Sequence, residues 1–128
     1  MDLNDQLSRK NLSTLDDISE LKYNWNGYGA SAFSKELIDR CRDLLGQLPV
    51  QPELYPTACD SIQFEWETAD GRYMDAEVPE YGLTGIYKML PDKTWKVQHV
   101  LDETLIDTLR KEVIEFIDED VKMEILSV

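Results

Sequence analysis

The chain has one histidine, two cysteines and only half as many basic as acidic residues, 13 against 26, and each shortage closes off a class of chemistry. A general base or a metal centre built on His99 needs partners, and the sequence sets none beside it, so a lone histidine near the end of a strand reads as structural. No Cys-x-x-Cys, His-x-x-x-His or Gly-x-x-x-x-Gly-Lys spacing occurs, which removes the common metal, redox and nucleotide motifs. Gly27-Tyr28-Gly29 is no phosphate loop, because it follows a helix rather than a strand and no lysine stands where phosphates need one. Cys41, on an apolar helix face, reads as a small buried hydrophobe, and Cys59, after a proline-rich stretch, as an accessible thiol; both are expected reduced rather than joined. No catalytic residue, cofactor or metal site is assigned, and the chain is read as a non-enzyme. Also missing is any apolar run near the ~18 residues of a membrane span. Met1-Asp2-Leu3-Asn4-Asp5 has neither the basic start nor the apolar centre of a secretory signal, so the expected compartment is the cytoplasm, away from membranes.

What is abundant is negative charge. The net charge is −13, and it is lopsided: residues 1–60 hold ten acids and six bases, residues 61–128 sixteen and seven. Such a surface is repelled by phosphate backbones and anionic membranes and attracted to basic proteins, which argues against direct nucleic-acid binding and for a basic partner. The plain alternative is a charge coat that only keeps the protein soluble.

The 128 residues suit one domain with one core. Residues 1–11, polar apart from Met1, Leu3 and Leu7, are expected to form a flexible arm, residues 12–120 a single α+β domain, and residues 121–128 a tail or short strand. Thr14 caps a first expected helix carrying Leu15, Ile18, Leu21 and Trp25 on one face and stopping at Gly27. Gly27 and Gly29 let the following turn take positive φ while Trp25, Tyr28 and Phe33 pack around it. Ser34 caps a second helix with the stripe Leu37, Ile38, Cys41, Leu44, Leu45 and Leu48, ended by Pro49. Pro49, Pro52 and Pro56 make the next stretch an extended connection without regular structure.

From Ser61 the period becomes two. Ile62, Phe64 and Trp66 alternate with Gln63, Glu65 and Glu67, and Met74, Ala76 and Val78 alternate with Tyr73, Asp75 and Glu77 across Ala69-Asp70-Gly71. A two-residue turn would set Trp66 against Asp75 and mix the faces. A three-residue loop ending in a left-handed Gly71 instead pairs Trp66 with Met74, Phe64 with Ala76 and Ile62 with Val78. The other face then sets Glu65 opposite Asp75 and Gln63 opposite Glu77. Directly opposed carboxylates are unfavourable by a few tenths to ~1 kcal/mol, so stability alone would not choose that arrangement. Glu65, Glu67, Tyr73, Asp75 and Glu77 are therefore the candidate partner-binding residues, with a solvated outer face as the alternative. Tyrosine among carboxylates suits recognition of Lys or Arg through hydrogen bonds, charge and cation–π contact.

Two more strands are expected at 83–90 and 94–100, joined by Pro91-Asp92-Lys93, with Trp95 and Val97 pointing inward and Ile86 and Leu90 competing with Leu83, Tyr87 and Met89 for the core. Trp25, Trp66, Trp95, Phe64 and Phe116 are read as core. Asp102 caps a last helix with Leu105, Ile106, Leu109, Val113, Phe116 and Ile117 on one side, which Asp118-Glu119-Asp120 should end by opposing the helix dipole. The expected architecture is α+β: two N-terminal helices, a four-stranded antiparallel meander and a C-terminal helix, with the helices on one sheet face.

The string Trp25-Asn26-Gly27-Tyr28-Gly29-Ala30, followed by a Ser-capped helix ending in Leu-Pro, a loop with spaced prolines and a strand ending in Phe64-Glu65-Trp66, resembles a group of small uncharacterised bacterial and phage-associated proteins. Those carry a Trp-Asp/Asn-Gly-Tyr-Gly-Ala motif before a helix and a β-meander, and the likeness spans about residues 15–100. The chain departs from the group at Ala58-Cys59-Asp60-Ser61, where an Asp-Gly-Gly turn is common. The resemblance implies one compact α+β domain and a mobile-element setting, and it carries no site residues with it. The functional expectation is a non-catalytic, acidic protein-binding module that docks on a basic partner. In a phage or mobile-element setting it would act as an inhibitor of a nucleic-acid-handling enzyme by nucleic-acid mimicry, as anti-CRISPR and other anti-defence proteins do. The alternatives are an immunity or antitoxin-like partner and a self-assembling structural protein. The sequence leaves the oligomeric state open.

Overall fold

The structure, a computed structural model, describes residues 3–126, with side chains to residue 117. In chain order come α1 (Leu3–Ser19), α2 (Lys35–Gly46), β1 (Glu53–Pro56), β2 (Ser61–Glu67), β3 (Tyr73–Pro79), β4 (Thr84–Met89), β5 (Trp95–Val100) and α3 (Asp102–Leu126). The strands form one antiparallel sheet in sequence order. The α+β class holds, but the sheet has five strands rather than four. The extra one is β1, from the proline-spaced connection. Proline is tolerated on an edge strand, and β1 is an edge, paired only with β2 through Glu53–Glu65, Leu54–Phe64, Tyr55–Gln63 and Pro56–Ile62.

The first helix begins at Leu3, well before Thr14, and ends at Ser19, well before Gly27. Residues expected as an arm belong to it because their polar side chains do structural duty. Asn11 is buried and donates to the Gln51 side chain at 3.1 Å and the Pro52 carbonyl at 2.8 Å, while Asn4 accepts from the Gln51 amide at 2.8 Å. Both asparagines thus tie α1 to the loop entering β1. A hydrophobic pattern is blind to such contacts. Trp25 consequently lies outside any helix, half-buried against Phe33 at 5.9 Å between ring centroids.

The glycine-rich motif folds on itself. Gly27 and Gly29 have φ of 79° and 84°, and Asn24, the non-glycine beside them, has 66°. The asparagine side chains hold these conformations: Asn24 Oδ1 accepts from the Gly29 amide at 2.7 Å, and Asn26 Oδ1 from the Tyr28 and Ala30 amides at 2.8 and 3.1 Å. Tyr28 does not pack around the turn; it is 93% exposed.

Helix α2 carries the expected cap, Ser34 accepting from the Leu37 amide at 3.2 Å, and all six stripe residues are buried. The β2–β3 hairpin has the expected register, with Trp66 opposite Met74, Phe64 opposite Ala76, Ile62 opposite Val78 and Glu65 opposite Asp75. Thr68 and Arg72 close its loop, the Thr68 amide meeting the Arg72 carbonyl at 3.0 Å, and Gly71 has φ of 87°. Helix α3 runs through Asp118-Glu119-Asp120 to Leu126, so these acids do not end it and no strand follows within the described residues. The dipole penalises acids only in a helix's last turn, and here that turn lies further on.

One core draws on all eight elements, from Leu15 and Ile18 of α1 through Phe64, Met74 and Ile86 of the sheet to Leu109 and Phe116 of α3. It fills the space between the sheet and the three helices. Cys41 lies inside it, and burial pushes its thiol up to about 12. Cys59 is exposed, and both cysteines are free. No helix among the described residues is long and apolar enough to cross a membrane.

Candidate functional site

The two faces of the sheet differ because strand side chains alternate. The inner face is covered by helices. On the outer face the register lines up three rows. Tyr55, Gln63, Glu77, Gly85 and His99 form one; Glu53, Glu65, Asp75, Tyr87 and Val97 the next; Glu67 and Tyr73 begin a third that Met89 and Trp95 continue. Every sequence-assigned site residue, Glu65, Glu67, Tyr73, Asp75 and Glu77, lies on this face. The structure adds Glu53 and Tyr55 from β1, and an aromatic flank from β4 and β5.

That flank corrects the reading of β5. Trp95 and Val97 were expected inward, yet they are 50% and 49% exposed, while Trp66 on the inner face is 4% exposed. The cause sits on the opposite parity. Lys88 of β4 and Lys96 and Gln98 of β5 point toward α3, where Glu112 is buried. Lys96 Nζ and Gln98 Nε2 each reach Glu112 Oε1 at 3.1 Å, and Lys88 Nζ stands 3.7 Å from Oε2. Burial alone would raise the Glu112 carboxyl; the Lys96 and Gln98 hydrogen bonds and the two lysine charges outweigh it and hold the group below its usual value. Two lysines turned inward to meet one acid send their alternate neighbours outward. Of the five aromatics read as core, Phe64, Trp66 and Phe116 are core, Trp25 is half-buried at its edge, and Trp95 is on the surface.

Glu53, Glu65 and Glu77 of the outer face are held by neutral donors. Tyr55 Oη donates to Glu53 at 2.5 Å, Gln63 Nε2 to Glu65 at 3.2 Å and to Tyr73 Oη at 3.0 Å, and Ser61 Oγ to Glu77 at 2.8 Å. Among the described residues no salt bridge involves Glu53, Glu65, Glu67, Asp75 or Glu77. The salt bridges lie elsewhere: Arg42 with Asp16 and Asp39, Lys35 with Asp39, Arg40 with Asp102, Arg72 with Asp70, and the lysine pair with Glu112. No lysine or arginine occurs at the outward-facing strand positions.

Asp75 is raised above the usual carboxylate value, first by burial and then by the charges of Glu65 and Glu77, with the Tyr73 hydrogen bond pulling the other way. The burial of Asp75 between β2 and β4 supplies the largest part of this rise. Burial and the Asp75 hydrogen bond raise Tyr73, and the Glu53 hydrogen bond pushes Tyr55 up to about 12. The chemistry the surface favours is the capture of positive charge, which would relieve these repulsions.

Gly85 opens a gap in the rows that the Tyr87 ring fills. A Cβ on Gly85 would stand 2.8 Å from Tyr87 Cε2 and 2.9 Å from its Oη. His99 meets the same ring edge-on at 6.4 Å, and Tyr73 meets Trp95 edge-on at 5.8 Å. His99 therefore borders the face as a neighbour of an aromatic ring. Among the described residues no three His, Cys, Asp or Glu side chains converge as metal ligands would. A cavity of about 370 Å³ opens beside the β1 edge, between Glu53, Glu65 and Glu67 on one side and Trp66 and Phe116 on the other.

The signal for β1 was present in Glu53-Leu54-Tyr55, one apolar residue between two polar-tipped ones, and was masked by the flanking prolines. No protein family, curated protein or solved structure compared with the chain matches it.

Proposed function

We propose that the protein is a non-catalytic binding module whose outer sheet face docks on a basic protein partner. One observation carries the reading: five acids, Glu53, Glu65, Glu67, Asp75 and Glu77, are gathered on a face whose outward strand positions hold no lysine or arginine, whereas Asp16, Asp39, Asp70, Asp102 and Glu112 elsewhere are joined to arginine or lysine. Leaving opposed carboxylates without cations costs stability, and a cationic surface arriving from outside would recover it. In the mobile-element setting that the Trp25–Ala30 motif implies, the partner is a nucleic-acid-handling enzyme and the protein its inhibitor. Carboxylates borne on strands about 4.8 Å apart would then stand where phosphates sit. The test is calorimetric titration of a strongly basic nuclease. Binding that collapses between low and moderate salt, is competed by duplex DNA and is lost in an E65Q/D75N/E77Q variant supports the reading; binding unaffected by the variant contradicts it.

Trp95 and Val97, half-exposed beside the acids, favour a second reading, an immunity or antitoxin-like protein with a mixed apolar and charged interface. Tight binding insensitive to salt and to DNA, and lost in Trp95→Ala, would select it.

A further inference from the structure

The face has a feature that negative charge alone does not require. Tyr87 lies over Gly85, half-buried, with Asp75 as its cross-strand partner, while Glu77 is the partner of Gly85 beneath the ring. A π surface is thereby bracketed by two carboxylates projecting from the same strand, two residues apart. Glu77 has a neutral donor in Ser61 Oγ at 2.8 Å, and among the described residues neither Glu77 nor Asp75 is in a salt bridge, so each retains acceptor capacity for one more partner.

We propose that this bracket seats an arginine of the partner, and that the segment docking on the face is arginine-bearing rather than merely basic; the proposal rests on the reading of the outer face as a docking surface for a basic protein. Charge complementarity selects a cation, and the ring selects which one. A guanidinium is planar and weakly hydrated, stacks on an aromatic ring and presents donors in a fork that can serve two carboxylates at once. An ammonium is a compact, strongly hydrated point charge that loses more water to enter a half-buried position. Gly85 is what makes the seat, because any side chain there would meet the Tyr87 ring and displace it.

The experiment titrates the full chain with two probes, hexa-arginine and hexa-lysine peptides, at low and moderate salt. The proposal expects the arginine peptide to bind about fivefold more tightly or better, a margin in line with one cation–π contact. Tyr87→Leu, which keeps every charge, should reduce arginine binding to the lysine level and leave lysine binding unchanged. Gly85→Ala, which keeps both the ring and the charges, should do the same by tilting the ring. Thermal melts of both variants establish that they fold, and either folded variant suffices. Equal binding of the two peptides, or an arginine preference that survives both substitutions, overturns the arginine seat. If E65Q/D75N/E77Q abolishes binding of both peptides in that case, the docking reading stands without it. If neither peptide binds, or binding ignores the triple variant, the docking reading fails and the arginine seat with it.

Discussion

The helical side and the outer sheet face solve the same problem, an excess of carboxylates, in opposite ways. On the helical side cations are at hand for some of the acids: Asp16 and Asp39 meet Arg42, Asp102 meets Arg40, and buried Glu112 lies between two lysines. On the outer face Glu53, Glu65, Glu67, Asp75 and Glu77 stand in adjoining rows without a lysine or arginine among the outward strand positions, and tyrosine, glutamine and serine donate to Glu53, Glu65 and Glu77. The first arrangement serves the fold. The second taxes it slightly and leaves a negative potential that an external cation would relieve, so the lesson lies in where the cations are missing.

The largest expected effect is on the fold side. Trp66→Ala should destabilise the protein by ~3–5 kcal/mol in a denaturant melt, because it empties the core beneath the sheet. Trp95→Ala, on the opposite face, should cost well under half of that; equal losses would break the distinction between a packed face and an open one. Next, Glu112→Gln removes the carboxylate that Lys88 and Lys96 share and should cost on the order of 3 kcal/mol. Changes of the same size on replacing Glu65 with Gln would contradict the comparison.

The pH dependence sharpens it further, because the two sides have opposite signs. The Glu112 carboxyl is held low, so its contribution is present above the value of the unfolded chain and is lost as pH falls through the lower folded value. Asp75 is raised, so in the window between its unfolded value and its folded one the native state binds the extra proton, and stability grows as pH falls through that window. Asp75→Asn should abolish this second component and raise stability at neutral pH by about 0.5–1 kcal/mol. Urea melts from pH 7 down to about pH 2 read both components, the Glu112 one at the acid end; an Asp75→Asn protein less stable than the parent at pH 7 would contradict the account.

Much of this was legible in the residues. The β2–β3 register followed from matching apolar with apolar across Ala69-Asp70-Gly71, and it placed Glu65 opposite Asp75 and Gln63 opposite Glu77 without coordinates. What hid the rest was polar atoms doing interior work. Asn11 inside α1, the asparagine-held turn at Asn24–Ala30, and Lys88 and Lys96 turned in toward Glu112 all look like surface residues in a hydrophobicity pattern. The last of these reversed β5 and moved Trp95 from the expected core to the edge of the candidate site. β1 was hidden by prolines that an edge strand tolerates.

The central claim is that position on the outer face, and not total charge, determines binding. Two triple variants that remove the same three charges decide it: E65Q/D75N/E77Q on the face, and D16N/D39N/D102N on the helical side, each titrated with hexa-arginine at low salt. The account predicts at least a tenfold loss of affinity for the first and near-parental affinity for the second. Equal losses in both would show that the negative charge acts as a uniform coat, and would contradict it.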